Sequence, residues 1–239
     1  MVCGSELRYF TTEREKLCYY CGEKKSANAS CLGGHFVCDA CHQHKGVAVI
    51  RKICTESAIE DMVTLMEKIR SQPAISMHGP EHHALVPGII LSTYRARGGK
   101  VGKKDILAAI DRGSKVPGGV CGFWGSCGAA VGAGIAFSVI LGATPLTPKK
   151  RQMAQQVTAR ILEKIACFQA GRCCQRETMI ALQEAAGLSA EILPVPLLAA
   201  DSLACSQYAL NRECIRQACM LWEKRDQNAA TAQSLALVI

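Results

Sequence analysis

Apolar residues recur at helical spacing along much of the chain. Between Thr55 and Ser71, the residues Ile59, Met62, Val63, Met66 and Ile69 share one face, and Thr55 suits an N-cap, so an amphipathic helix is predicted there. A second helix is expected from about Ala84 to Arg97, stopped by Gly98 and Gly99, with Pro87 and Gly88 in its first turn or breaking it. Lys103 to Arg112 reads as a short helix with Ile106, Leu107 and Ile110 on one side. Thr147 and Pro148 form an N-cap and N1 pair. They open a long helix to about Ala170, striped by Met153, Val157, Ile161 and Ile165. Gln175 to Ala186 is another helix, closed by Gly187, and Leu203 to Lys224 reads as mostly helical. Residues 5–16 are expected to form a short helix, residues 72–83 a loop, and Leu193 to Leu198, with two prolines, an extended piece. No strand ladder stands out. The predicted fold class is mainly α: a helical domain with a small N-terminal zinc-ribbon or RING-like cysteine module. The expected division is a module over residues 1–54, a helical domain over 55–226 and a disordered tail over 227–239.

The stretch from 116 to 148 interrupts this periodicity and reads as the element the chain is organised around. It carries no charge, and glycine punctuates its first half. Ser126 to Leu141 is small or apolar throughout, as expected of a buried helix whose neighbours approach closely. Cys127 would lie in its first turn, where free N–H groups and the helix dipole favour a thiolate, subject to the opposing effect of dry packing. Gly118, Gly119, Cys121 and Gly125 in the preceding loop are the candidate cofactor-binding positions. Lys149, Lys150 and Arg151 follow the apolar run as a stop signal would. The helix is nevertheless shorter than the ~20 residues needed to cross a bilayer, so a buried core helix is the preferred reading.

Composition adds a chemical character. Fifteen of the 239 residues are cysteine, aromatic residues are 5%, and the formal net charge is +8. The N-terminus is polar and charged from Glu6 onward, without a secretory pattern, so a cytoplasmic protein with metal-binding or redox cysteines is expected rather than a disulfide framework. The charge permits nucleic acid as a partner, but the basic residues lack the aromatic interleaving of an RNA-stacking surface.

Cys18-x2-Cys21 and Cys38-x2-Cys41 have the spacing of a four-cysteine zinc site, each pair folding into one tight turn. Four thiolates would also suit an iron–sulfur cluster. Cys31 and His35 lie between the pairs, in the ligand order of a RING cross-brace, but no later Cys-x2-Cys completes a second site. They either lack a second metal or borrow His42, His44 or Cys54. A closed four-cysteine site is structural, because it leaves no position for water.

His78, Glu81, His82 and His83 lie within six residues around Pro80. Two readings are open: a catalytic or metal site with Glu81 as general base, or a helix start with Glu81 favoured by the dipole and one histidine in the core. These residues and Cys127 are the catalytic candidates. Cys173, Cys174, Cys205, Cys214 and Cys219 are candidate ligands of a second metal centre or a redox pair, set against the reading that some are simply small buried residues. Cys167, beside Ile165, fits that packing role best.

The segments GHFVCDACH (Gly34–His42), GPEHHALVPG (Gly79–Gly88), GRCCQRE (Gly171–Glu177) and Cys205–Cys219 resemble an uncharacterised prokaryotic cysteine-rich family, domain of unknown function 5714. CGAAVGAGIAF (Cys127–Phe137) is loosely similar to the helix of small redox proteins with a C-GCAxxG-C-C signature, but with Cys-Gly-Ala in place of Gly-Cys-Ala. The first resemblance implies association with radical-SAM or methyltransferase enzymes. The expected function is therefore metal-binding redox, sulfur-transfer or cofactor-modification chemistry with zinc and an iron–sulfur cluster as candidate cofactors. The alternative is a non-catalytic zinc module that docks a partner protein or RNA. No strand and glycine-rich loop of a dinucleotide or methyl-donor site is present in the sequence.

Overall fold

The structure is a computed structural model that describes residues 2–201, 203, 205 and 207–222. Its order is β1 (Leu7–Leu17), β2 (Lys24–Cys31), α1 (Asp39–Glu56), α2 (Met62–Arg70), α3 (Glu81–Ala96), α4 (Lys103–Gly113), α5 (Val120–Phe123), α6 (Gly128–Leu141), α7 (Pro148–Ala166) and α8 (Cys174–Ile192). The protein is thus mostly helical, with a cysteine cluster at its N-terminal end.

The helix expected over residues 5–16 is not formed; Leu7–Leu17 is a strand. β1 and β2 pair antiparallel from Leu7 opposite Cys31 to Leu17 opposite Lys24, with an irregularity between Tyr9 and Arg14. Tyr9, Phe10, Thr11 and Thr12 suit a pleated, half-covered surface better than a helix. Phe10 is buried, with the Arg14 guanidinium 4.5 Å from its ring centre.

α3 is the hub. It packs against α1, α2, α4, α6 and α8. Every residue from Ala84 to Tyr94 is buried, so the helix is apolar all round rather than amphipathic. Pro87 is accommodated inside it. A Cβ on Gly88 would stand 3.0 Å from Ile110 and 3.2 Å from the Cys54 sulfur, so glycine there sets how near α1 and α4 approach. α6 crosses α3 as the small-residue helix expected, with Gly132 against Val86 and Pro87, and Gly134 against Thr158 of α7.

Several boundaries differ from the periodic reading. α1 was hidden by its thin buried stripe of Gly46, Val47, Ile50 and Cys54. Thr55 lies inside this helix, its hydroxyl donating to the Arg51 carbonyl at 2.8 Å, and the cap of the following helix is Asp61, which accepts from Thr64 N–H at 2.8 Å. α7 ends at Ala166, and α8 runs through Gly187. The expected helix over 203–224 is absent among the described residues, which hold only a 3-10 turn at Arg216–Ala218. Positions 223 and 224 and the expected tail lie outside the described residues. Among those described, no helix is long and apolar enough to cross a membrane.

The join of α3 and α4 gives a direct test of the packing. A Cβ on Gly113 would collide with the His83 carbonyl oxygen and lie 2.9 Å from the Ala84 Cα, both fixed backbone atoms. Gly113→Ala is expected to lower unfolding stability by about 2 kcal/mol, read as a reduced denaturation midpoint. An unchanged midpoint would show that the two helices separate freely.

Candidate metal centres and cleft

The hairpin turn and the start of α1 bring Cys18, Cys21, Cys38 and Cys41 together, with their sulfurs all within 4.8 Å of one another. Cys21 and Cys38 sulfurs are 3.9 Å apart. A tetrahedron with ~2.3 Å metal–sulfur bonds has edges of ~3.8 Å. Local sequence explains the convergence. Gly22 takes φ +68 and its N–H returns to the Cys18 carbonyl, closing one knuckle; Cys38 is the N-cap of α1, and its N–H donates to Cys18 Sγ at 3.4 Å. Burial pushes the Cys18 thiol up, but backbone N–H groups of Cys38, Cys21 and Tyr20 bring it down to about 6. Its neighbour Cys41 is pushed up to about 12, chiefly by Cys38 and then by burial. Four thiols this close cannot all ionise without a cation between them.

A second group completes what the sequence left open. Cys3, Cys31 and His35 also lie within 4.8 Å of one another. Cys3 and Cys31 sulfurs are 3.6 Å apart, and Cys31 Sγ is 3.4 Å from His35 Nδ1. The partner is Cys3, not His42, His44 or Cys54. Antiparallel pairing explains it: Leu7 opposes Cys31, so the chain just before β1 returns alongside the end of β2. A ligand supplied through strand pairing leaves no spacing signature. The group has three donors, whereas the Cys18 group has four.

Between this module and the helices lies a cleft of about 1120 Å3. Cys3, Cys31 and His35 lie on its wall beside the hairpin; His78, His82, His83, Cys121, Cys127, Cys174 and Glu177 come from the helices and the glycine loop. The histidine loop and the central glycine stretch therefore line one space. Gly118 and Gly119 line it too, and Gly118 N–H donates to Asp39 at 2.7 Å, tying the loop to α1; Gly125 is not on the wall. Gly119 holds a left-handed φ of +81.

The histidines have different situations. His83 has a lowered pKa from burial, and its Nδ1 is 2.9 Å from the Val116 carbonyl, so Nδ1 carries the proton and Nε2 keeps its lone pair. Gly128 makes room for that ring, since a Cβ there would overlap it. His78 Nε2 meets Asn211 Oδ1 at 3.1 Å, and its Nδ1 is buried without a hydrogen-bond partner. His82 is buried, its Nε2 2.8 Å from the Ser76 carbonyl and its Nδ1 3.0 Å from Arg70. Glu81 is 1% exposed and absent from the cleft wall. It accepts from Ser76 N–H at 2.9 Å and stands 3.4 Å from His42 Nδ1, a contact too poorly directed to be a hydrogen bond. Gly46 and Gly79 leave space for this carboxylate. Glu81 thus braces the start of α3 and lies off the cleft wall.

Cys127 is not in the first turn but is the N-cap of α6, 5% exposed. Burial pushes its thiol well up and the Glu177 carboxylate adds to that, outweighing the N–H groups of Ala129 and Ala130. Its S–H donates to Glu177 Oε2 at 3.3 Å. The balance expected at Cys127 thus falls toward the thiol, because dry packing and an adjacent anion outweigh the helix terminus. Neither arginine reverses this: Arg176 pairs with the other oxygen of Glu177 at 3.3 Å, and Arg172 lies 3.9 Å from Glu213. Cys174, also in the cleft, is pushed up to about 12 by burial and then by Glu177. Cys173, Cys205, Cys214 and Cys219 instead surround a separate small cavity, without the sub-4.8 Å approach of the first two groups. Cys167 is exposed and hydrogen-bonds the Glu163 carbonyl, so it is not core packing. Sequence reasoning missed Cys3, Glu177, Arg70 and Asn211, which become significant only through contacts across the fold.

A family model described as "Family of unknown function (DUF5714)" matches residues 50–222. That range holds the helical floor of the cleft and the later cysteines, and begins after both metal-type groups of the N-terminal module. No curated protein and no solved structure matches the chain.

Proposed function

This chain belongs to the DUF5714 family, and we propose that it is a metal-dependent enzyme that performs sulfur chemistry on a cofactor-sized molecule held in the cleft. One observation carries the reading: a three-donor group, Cys3, Cys31 and His35, sits on the wall of a cleft that also gathers His83, Cys174 and Glu177. In this reading the Cys18 group holds a structural zinc in a ribbon-like or RING-like module. The three-donor group holds a second zinc with one position open, the feature that separates catalytic from structural sites. Two thiolates and an imidazole are a soft set, and the metal they hold would lower the pKa of a thiol or water at the open position. The chain's own residues do the rest. His83, with its tautomer set by Val116, receives the proton through Nε2. Gly118 and Gly119 shape the loop on one wall, close against Asp39 and Phe123, and the hairpin forms another wall. The cleft exceeds the volume of a drug-sized pocket, hence a cofactor-sized rather than a very small substrate.

The test uses cobalt(II) in place of zinc and cysteamine as a thiol probe. Cysteamine is expected to change the visible spectrum of one cobalt centre and not of the Cys18 centre. Cys31→Ser is expected to lose one equivalent of metal together with that response. A wild-type spectrum indifferent to the thiol would sink the reading.

The alternative, a non-catalytic module that docks a partner, draws on the exposed Leu17, Tyr19, Tyr20 and Leu32 around the knuckles. If Tyr19→Ala with Tyr20→Ala abolished an association while leaving the cysteamine response intact, function would move to that surface.

A further inference from the structure

The first turns of α8 separate two spaces. Cys174, Glu177 and Thr178 line the cleft, whereas Cys173, Gln175 and Arg176 line a small cavity of about 20 Å3. Three more cysteines reach that cavity from the C-terminal segment: Cys205, Cys214 and Cys219. Its volume suits one water or one ion. Four thiols around a space of that size are a poor water site, because S–H groups are weak donors and acceptors.

Hydrogen-bond donors stand around this point, although burial pushes the Cys173 thiol up. Arg176 is 3% exposed, and its NH2 group is used by the Gly171 carbonyl and Glu177, but its Nε is buried without a hydrogen-bond partner. A buried guanidinium donor left unpaired is costly, and a thiolate or sulfide in the cavity is the acceptor it lacks. The Arg216 N–H donates to Cys214 Sγ at 3.4 Å. Arg216 itself takes φ +47, the one non-glycine residue with positive φ among those described, between Cys214 and Cys219. Backbone held in that region implies that the placement of its neighbours is constrained by the surrounding structure. No carboxylate lines the cavity.

We propose that Cys173, Cys205, Cys214 and Cys219 form a third metal centre, a four-thiolate site for a thiophilic metal, on the far side of α8's first turn from the cleft. Each thiol gives up a proton on ligation, and the resulting anionic centre is balanced by Arg176. Binding draws the sulfurs inward from their present spacing, which is wider than in the two N-terminal groups. Adjacent Cys173 and Cys174 divide their roles: one is a ligand, the other faces the cleft. The proposal does not depend on any chemistry in the cleft.

The experiment measures zinc, iron and acid-labile sulfide in the full chain purified without oxygen. Three centres are expected in the wild type. Zinc alone, colourless, identifies a single ion; iron with sulfide and visible absorption identifies a cluster; either supports the proposal. Cys214→Ser and Cys219→Ser should each lose one centre, whereas Cys174→Ser and Cys167→Ser should keep all three. If the variants do not fold, alkylation of the wild type decides. Cys173, Cys205, Cys214 and Cys219 should be protected as purified and become reactive together on chelation. Free alkylation of the four before chelation, metal content in Cys214→Ser and Cys219→Ser equal to that of the wild type, or equal loss in Cys174→Ser and Cys214→Ser would overturn the proposal.

Discussion

Cys38→Ser is expected to release the metal of the Cys18 group and to unfold the hairpin with the start of α1. The four sulfurs belong to two segments that share little else. The hairpin turn carries Cys18 and Cys21, and the α1 N-terminus carries Cys38 and Cys41. Phe10 and Ala27 are the buried apolar residues of the two strands, too few to hold a two-stranded sheet alone. Metal ligation is therefore the main tie, and in zinc-finger peptides such a tie amounts to about 10–16 kcal/mol of apparent binding free energy. Loss of one ligand should also free residues 2–37 for proteolysis while α2 to α8, packed around α3, remain folded. Limited proteolysis with metal analysis checks both halves of the expectation. Full metal content with an intact N-terminal segment in the variant would contradict it.

The second large effect is acid sensitivity set by His82. Its Nε2–H donates to Ser76 and its Nδ1 accepts from Arg70, so a second ring proton would confront the arginine's own N–H. Burial and then the Arg70 charge bring its pKa from 6.5 to about 3, against the opposing pull of Glu81 and the Ser76 carbonyl, with His83 adding slightly. Below pH 6.5 the unfolded chain binds a proton there that the folded chain refuses until about pH 3. Stability is thus full above pH 6.5 and falls as the pH drops through that window, by about 1.4 kcal/mol per pH unit where the unfolded state is fully charged. His78 and His83, whose pKa values burial also lowers, act in the same direction. Glu81 extends the loss. Burial pushes its carboxyl up, but His42 and His82 hold it down to about 2, so its contribution is present above about 4.5 and lost as pH falls toward 2. Urea denaturation at pH 7.5 and pH 5 should differ by about 2 kcal/mol through His82 alone. His82→Gln, which keeps an amide N–H for the Ser76 carbonyl, should flatten that difference by the same amount and leave the component from metal release intact. An equal pH dependence in both proteins would remove His82 from the account.

The sequence by itself determined the helical character and the core of the larger part. Ile106 and Ile110, and Val157 and Ile161, repeat at helical spacing, and each pair is buried on the face that its period marks. It also determined the four-cysteine knuckle group, because both pairs carry their geometry in a two-residue spacing, and the small-residue helix α6, because only glycine and alanine permit its contacts with α3 and α7. The rest depended on partners distant in the chain. The helix expected over residues 5–16 gives way to a strand at Leu7–Leu17, where β2 pairs with it. Cys3 becomes a ligand-type residue only because that pairing carries the N-terminus past Cys31. Glu81 looks like a base beside three histidines, yet α1 and the 76–79 loop bury it. Cys127 is left in balance by its place at a helix start, and α8 decides it by placing Glu177 against it, fifty residues away. Periodicity and spacing report on neighbours along the chain. Burial and charge at a site are set by whichever elements the fold brings there, and α3 and α8 brought them here.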